Sequence, residues 1–198
     1  MNALLAAEIA ATAARLVVEE GMEYGPAKRK AARALGKQGA RAVDLPGNDA
    51  VEDEVRAYLA LFHADTQPAE LAALRGVAMQ WMERLAEFRP HLTGAVWRGT
   101  ATRLNNVHLQ LFCDDSKAAE IALIDAGVDY EVDSQPGPRG WPSDLLVVSS
   151  PCPALGETVT VVLAILDHDD LRGALKPDAR GQTERGDLAA LQRRLGPA

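Results

Sequence analysis

Aromatic residues are scarce in this chain, at 5% of 198 residues, and there are only two cysteines, Cys113 and Cys152. Two thiols are too few for a disulfide framework or a structural zinc site. No apolar run approaches the roughly 20 residues that a helical bilayer span requires. With 25% charged and 47% hydrophobic residues, the composition excludes a disordered chain as well. Positive charge is in deficit: 21 lysines and arginines against 28 aspartates and glutamates leave a formal charge of -7. That field disfavours general nucleic-acid or anionic-membrane binding and leaves phosphate to a local basic site. The first residues carry Glu8 where a secretory leader would be apolar behind a basic start, so a reducing cytoplasm is expected. What is present is enough apolar sequence for one compact domain, or for one domain with a helical extension.

Alanine is dense up to Ala126 and then absent until Ala154, whereas Val, Leu and Thr crowd residues 144–166, so helix is expected to give way to sheet. Leu5, Ile9, Ala13 and Leu16 recur at helical spacing up to Gly21, and a second short helix starts at Pro26 and stops at Gly36. Asn48 and Asp49 are placed to cap a third helix with Val51, Val55, Tyr58, Leu59 and Phe62 on one face. Thr66 and Pro68 open a fourth, whose stripe of Leu71, Leu74, Ala78, Trp81, Leu85 and Phe88 ends at Pro90. From residue 107 the period becomes two: Val107, Leu109 and Leu111 point one way, and Asn106, His108, Gln110 and Phe112 the other. Ser116 is placed to cap a helix running to Gly127. Val128, Tyr130 and Val132 then alternate with Asp129, Glu131 and Asp133, as in a strand with one wet face. A connector from Gln135 to Pro142 leads to two buried strands, 145–148 and 159–166, joined through Pro151, Cys152 and Pro153, and an amphipathic helix follows Asp187.

The segment from Gly94 to Leu111 reads GAVWRGTATRLNNVHLQL. In it the chain resembles the nucleotidyltransferase fold family, whose small members carry GSxARG, five further residues and then SDxDL. Gly94 falls on the first glycine, Ala95 on the serine, Arg98 and Gly99 on the Arg-Gly pair, and Asn105 on the serine before the acids. Asn106, His108 and Leu109 fall on the DxDL strand. The likeness covers roughly residues 68–167. It implies a strand entering a glycine turn, a short helix whose amides hold nucleotide phosphates, and a next strand presenting two aspartates to magnesium. It also implies nucleotide contacts at Gly94, Arg98, Gly99, Thr100 and Arg103. The catalytic positions are degenerate: Ala95, Asn106 and His108 replace a serine and two aspartates, and magnesium is a hard cation that needs carboxylate oxygen. The family's third acid sits on a neighbouring strand, and Leu145–Ser150 and Thr158–Leu166 contain none; Glu157 and Asp167 lie only at the ends.

Other patterns have simpler explanations. Asp167, His168, Asp169 and Asp170 are consecutive at a strand end, where they read as a helix start rather than a metal site. Lys28, Arg29, Lys30, Arg33, Lys37 and Arg41 form a run without acids that reads as a solvated helix face, or as a contact for RNA or an acidic partner. Cys113, at the wet end of the histidine strand, and Cys152, between prolines, read as unreactive thiols, and His63 and His91 stand alone at element ends. The stretches GTATRL and LQLFCDD also resemble short bacterial proteins that carry the name UDP-N-acetylmuramate alanine ligase. Such a ligase activates a carboxylate with ATP through a phosphate loop, and no GxxxxGK[ST] occurs in this sequence.

The expected architecture is therefore α/β (α+β): a helical N-terminal part over 1–88, a core with a small mixed sheet of nucleotidyltransferase type over 89–175, and a C-terminal loop and helix over 176–198. The expected function is that of a catalytically inactive nucleotidyltransferase-like protein, a pseudoenzyme acting as a nucleotide-binding or protein-interaction module without cofactor. The alternative is a divergent transferase in which Asn106 and His108 hold a softer metal or a substrate and Asp114, Asp115 or Asp167 supplies charge; magnesium enters only in that version. A third option is a structural partner protein using the basic helix. Expected partners are a nucleotide or a protein, with neither membrane nor nucleic acid.

Overall fold

A computed structural model describes residues 3–36, 45–136 and 142–195. The chain divides into two compact units, Met1–Glu70 with Thr100–Asn105, and Leu71–Gly99 with Asn106–Ala198.

The first unit is built on α1 (Ala3–Glu20), α2 (Tyr24–Ala34) and α3 (Asn48–Phe62). Alanines carry its packing: Ala10, Ala13, Ala14, Ala27, Ala31 and Ala32 are all buried, and without longer side chains between them the helix backbones can approach closely. Ile9, Leu16, Val17, Val51, Val55 and Leu59 fill the rest. α1 ends at Gly21, whose φ of +65° is left-handed, and a Cβ there would lie 2.9 Å from the carbonyl oxygen of Leu104. Glycine is thus required for two reasons, its backbone angle and the approach of the 100–105 loop.

The expected cap of α3 is corrected. Gly47 occupies the N-cap without a side-chain hydrogen bond, and Asn48 is the first helical residue. Its Oδ1 instead accepts from Lys28 Nζ at 2.9 Å, and that same ammonium donates to the Pro46 carbonyl at 3.0 Å. Lys30 pairs with Glu20 at 2.5 Å. Two members of the basic run are therefore engaged within the unit, while Lys37 and Arg41 lie outside the described residues.

The second unit is a six-stranded mixed sheet with helices. α4 (Gln67–Arg84) starts within the first unit and continues into the second. Its helix stops at Arg84, short of the expected Pro90. A 3-10 turn over Ala86–Phe88 closes on Arg89 at φ 49°, and Leu85 and Phe88 are buried from that turn rather than from the helix. Then follow β1 (His91–Thr93), α5 (Gly94–Arg98), β2 (Val107–Cys113), α6 (Ala118–Asp125), β3 (Tyr130–Pro136), β4 (Pro142–Cys152), β5 (Glu157–Asp167), β6 (Arg185–Gly186) and α7 (Leu188–Leu195). The strand order is β3-β4-β5-β2-β1-β6, with β2 and β5 parallel and every other neighbouring pair antiparallel.

The alternation in β2 decides which face is core. Val107, Leu109 and Leu111 align with Val161, Leu163 and Ile165 of β5, and the first two of these with Val148 and Leu146 of β4, all buried. Cys113 shares this parity, so the expected wet position is corrected: the thiol is buried, and burial pushes its pKa up to about 11. On the opposite face one row crosses all six strands through Glu131, Val147, Val162, His108, Thr93 and Arg185. β3 departs from the one-wet-face pattern because it is an edge strand. Val132 lies on the core face opposite Leu146 yet remains 60% exposed. Ser116 does not cap α6: Lys117 holds the cap position, and its amide donates to Asp115 Oδ1 at 2.9 Å. Asp187 does cap α7, accepting from the Ala190 amide at 2.8 Å. Among the described residues no helix is long and apolar enough to cross a membrane.

Candidate functional site

The glycine turn sits where β1 ends. Thr93 is the N-cap of α5 in extended backbone, and Gly94 opens the helix at φ +72°, an angle a side chain rarely adopts. β1 and β2 pair so that Thr93 faces His108, and a Cβ on Gly94 would stand 3.6 Å from His108 Cδ2. Space is therefore adequate there, and the backbone angle is what selects glycine. The pentapeptide helix ends at Gly99, at φ +84°, whose amide donates to the Ala95 carbonyl at 2.9 Å.

The second unit thus holds Gly94, Ala95, Arg98 and Gly99 on one short helix and brings the first of them against His108. Asn106 is exposed and precedes β2 by one residue, while His108 is half-buried on the open sheet face. Thr100 and Arg103 belong to the 100–105 segment of the first unit. Thr100 is buried, at 2% exposure, and Arg103 is exposed, its amide donating to Glu70 Oε2 at 2.9 Å. Gln67 donates to the Ala101 carbonyl at 2.9 Å. Asn105 shapes the segment by accepting from the Thr102 amide at 2.8 Å, a turn that asparagine forms through its side chain.

These donors do not suit magnesium. Position 106 offers an amide and position 108 an imidazole, and β5 presents Val162 beside His108 with no acid between Thr158 and Leu166. The carboxylates considered as substitutes lie elsewhere. Asp167 pairs in register with Cys113, about 16 Å along the strand from His108, and there it caps a 3-10 turn by accepting from the Asp169 amide at 2.8 Å. Asp114 lies 3.7 Å from Arg89 and 3.8 Å from His168, and Asp115 is the acceptor of the Lys117 amide. Among the described residues no three His, Cys, Asp or Glu side chains are grouped to hold a metal ion.

Sequence reasoning missed the residues that surround α5. Trp97 Nε1 donates to the Thr183 carbonyl at 2.6 Å, and the Arg194 guanidinium stacks 3.9 Å from the centre of its ring. A Cβ on Gly186 would fall 2.1 Å from the indole. Thr93 Oγ1 donates to the Glu184 carbonyl at 2.9 Å, and Arg185 reaches across β1 to Gln110 Oε1 at 2.7 Å. From the other direction Arg75 Nε donates to the Val96 carbonyl at 3.3 Å. Residues 183–194 therefore clamp the turn. The only local signal for this was Gly186 beside the amphipathic stretch.

No protein-family model matches the chain, and no curated protein matches it.

Proposed function

We propose that this chain is a nucleotidyltransferase-like protein without magnesium chemistry, serving as a nucleotide-binding or protein-interaction module. The observation that carries the reading is the left-handed Gly94 between β1 and a short helix, set against His108 of the adjoining strand. This is the strand, glycine turn, helix and strand sequence that the GSxARG…SDxD resemblance implies, with amide and imidazole where that chemistry needs two carboxylates. Without them, two metal ions bridging a triphosphate have no anionic ligands, and the transfer step loses both positioning and charge neutralisation. What remains suited to an anion is fixed positive charge, with Arg98 as the nearest arginine to the turn in sequence.

The test is a thermal-shift panel of ATP, CTP, GTP and UTP with magnesium, manganese and zinc, run beside a pyrophosphate-release assay. A ligand that binds only the native state raises its melting temperature with occupancy. The expected result is weak stabilisation by nucleotide that does not need metal and falls in Arg98→Ala, with no pyrophosphate above background. Metal-dependent turnover abolished by His108→Ala would overturn the reading.

A further inference from the structure

We propose that the open edge of β3, with the groove beside it, is a docking site for an extended basic segment of a partner protein, one that alternates lysine or arginine with aliphatic residues and joins the sheet as a further strand. The inference gives a surface and a partner chemistry to the protein-interaction reading, on which it rests for the existence of a partner.

β3 ends the strand order and pairs with β4 alone. Every second residue of such an edge turns its N–H and C=O outward, and residues 131–134 are exposed. Along one side of the strand Glu131 and Asp133, with Asp129 just before them, place carboxylates at a two-residue spacing. Asp133 accepts from the Ser134 amide at 2.7 Å, and among the described residues no lysine or arginine pairs with any of the three. Asp129 and Glu131 line an open groove of about 340 Å³ together with Val147, Ser149 and Thr160. Carboxylates beside an aliphatic wall suit the apolar stem and charged head of a lysine or arginine. On the other side of the strand Val132 is 60% exposed. Ile124, at 59%, lies one helical turn beyond Glu120, which accepts from Tyr130 Oη at 2.9 Å.

A second copy of the chain does not suit this edge. Antiparallel pairing of β3 with itself sets Glu131 against Asp133, or one of these acids against its own counterpart, and like charges directly opposite are destabilising. Charged residues on an edge strand often serve only to guard it. Guarding accounts for the acids and leaves the exposed aliphatic side unexplained. A strand with basic residues toward the groove and aliphatic residues toward Val132 matches both sides at once. Its main chain would bond the open edge, and its alternate side chains would set specificity. The overall charge of -7 steers a basic segment toward the protein.

Calorimetry on the full chain at constant ionic strength tests this with a blocked peptide the length of β3, carrying lysine at every second position and valine or threonine between. It should bind saturably and slow hydrogen exchange at the amides of β3. A peptide of the same composition with its lysines grouped at one end, and the ordered peptide with its alternate amides methylated, should bind about tenfold more weakly or worse. Glu131→Lys should weaken the ordered peptide by at least about tenfold, and Glu131→Gln, the milder change at the same exposed position, keeps the comparison available should the first variant fold poorly. No saturable binding, equal affinity for the grouped peptide, or binding unchanged in folded Glu131→Lys overturns the inference. So does self-association of the wild type that Glu131→Lys abolishes, because a second copy would then hold the edge. Nucleotide stabilisation without peptide binding removes this site and keeps the nucleotide reading, whereas peptide binding without nucleotide stabilisation does the reverse.

Discussion

Individual residues around α5 were legible to different degrees. Gly94 and Gly99 are visible in the sequence because positive backbone angles select glycine locally, and the two-residue period around His108 fixes which side chains share its face. Arg75, Arg185 and Arg194 carry no such signal, since each is one arginine among 21 basic residues until the tertiary fold brings it to the turn. Gly186 shows the cost of that hidden packing. A methyl group there would overlap the Trp97 ring at 2.1 Å, and because the indole is held by Thr183 and Arg194 it has little room to yield. Gly186→Ala should destabilise the protein by about 3 kcal/mol, whereas Gly76→Ala, in mid-α4 with nothing within 4 Å, should stabilise it by about 0.5–1 kcal/mol. Urea titrations of the two variants beside the wild type measure both signs, and equal effects would mean that the indole does not rest on residue 186.

At the level of elements, the long periodic segments were readable and the short ones were not. α1, α2, β2, β5 and α7 follow from spacing, as does α4 up to Arg84; β4 runs Pro142–Cys152, where spacing marks only 145–148 and expects a turn at Pro151 and Cys152, and the three-residue β1 and the two-residue β6 are too brief to display a period. They exist because β2 offers an edge: β1 pairs with it, and β6 pairs with β1. The register of β1 on β2 also makes the degenerate positions testable. Asn106→Asp combined with His108→Asp places two carboxylates two residues apart, on one side of the chain. Their repulsion should raise at least one carboxyl pKa and lower the melting temperature until a divalent cation is added. Partial recovery in millimolar manganese, with little response from the wild type, is the expected outcome of melting and calorimetric measurements. A double variant that binds manganese no better than the wild type would break the correspondence with the DxD strand.

The whole molecule has two cores, and its tryptophans are unevenly shared. Among the described residues the tryptophans are Trp81 and Trp97, both of the second unit, while α1, α2 and α3 supply helix to the first. The emission of these two tryptophans therefore follows one unit, and ellipticity at the helical band follows both. Urea unfolding should give different midpoints by the two probes, because each unit buries its own apolar cluster. Coincident curves would show a single cooperative structure instead. The clamp on α5 adds a consequence in time. A ribosome finishes Trp97 long before it supplies Thr183, Gly186 and Arg194, an interval of about 5–20 s at ordinary elongation rates. Through that interval the nascent chain carries an indole whose carbonyl partner, backbone platform and stacking cation have yet to be made. The turn bearing Gly94 is thus among the earlier parts of its unit to be synthesised and among the last to be completed.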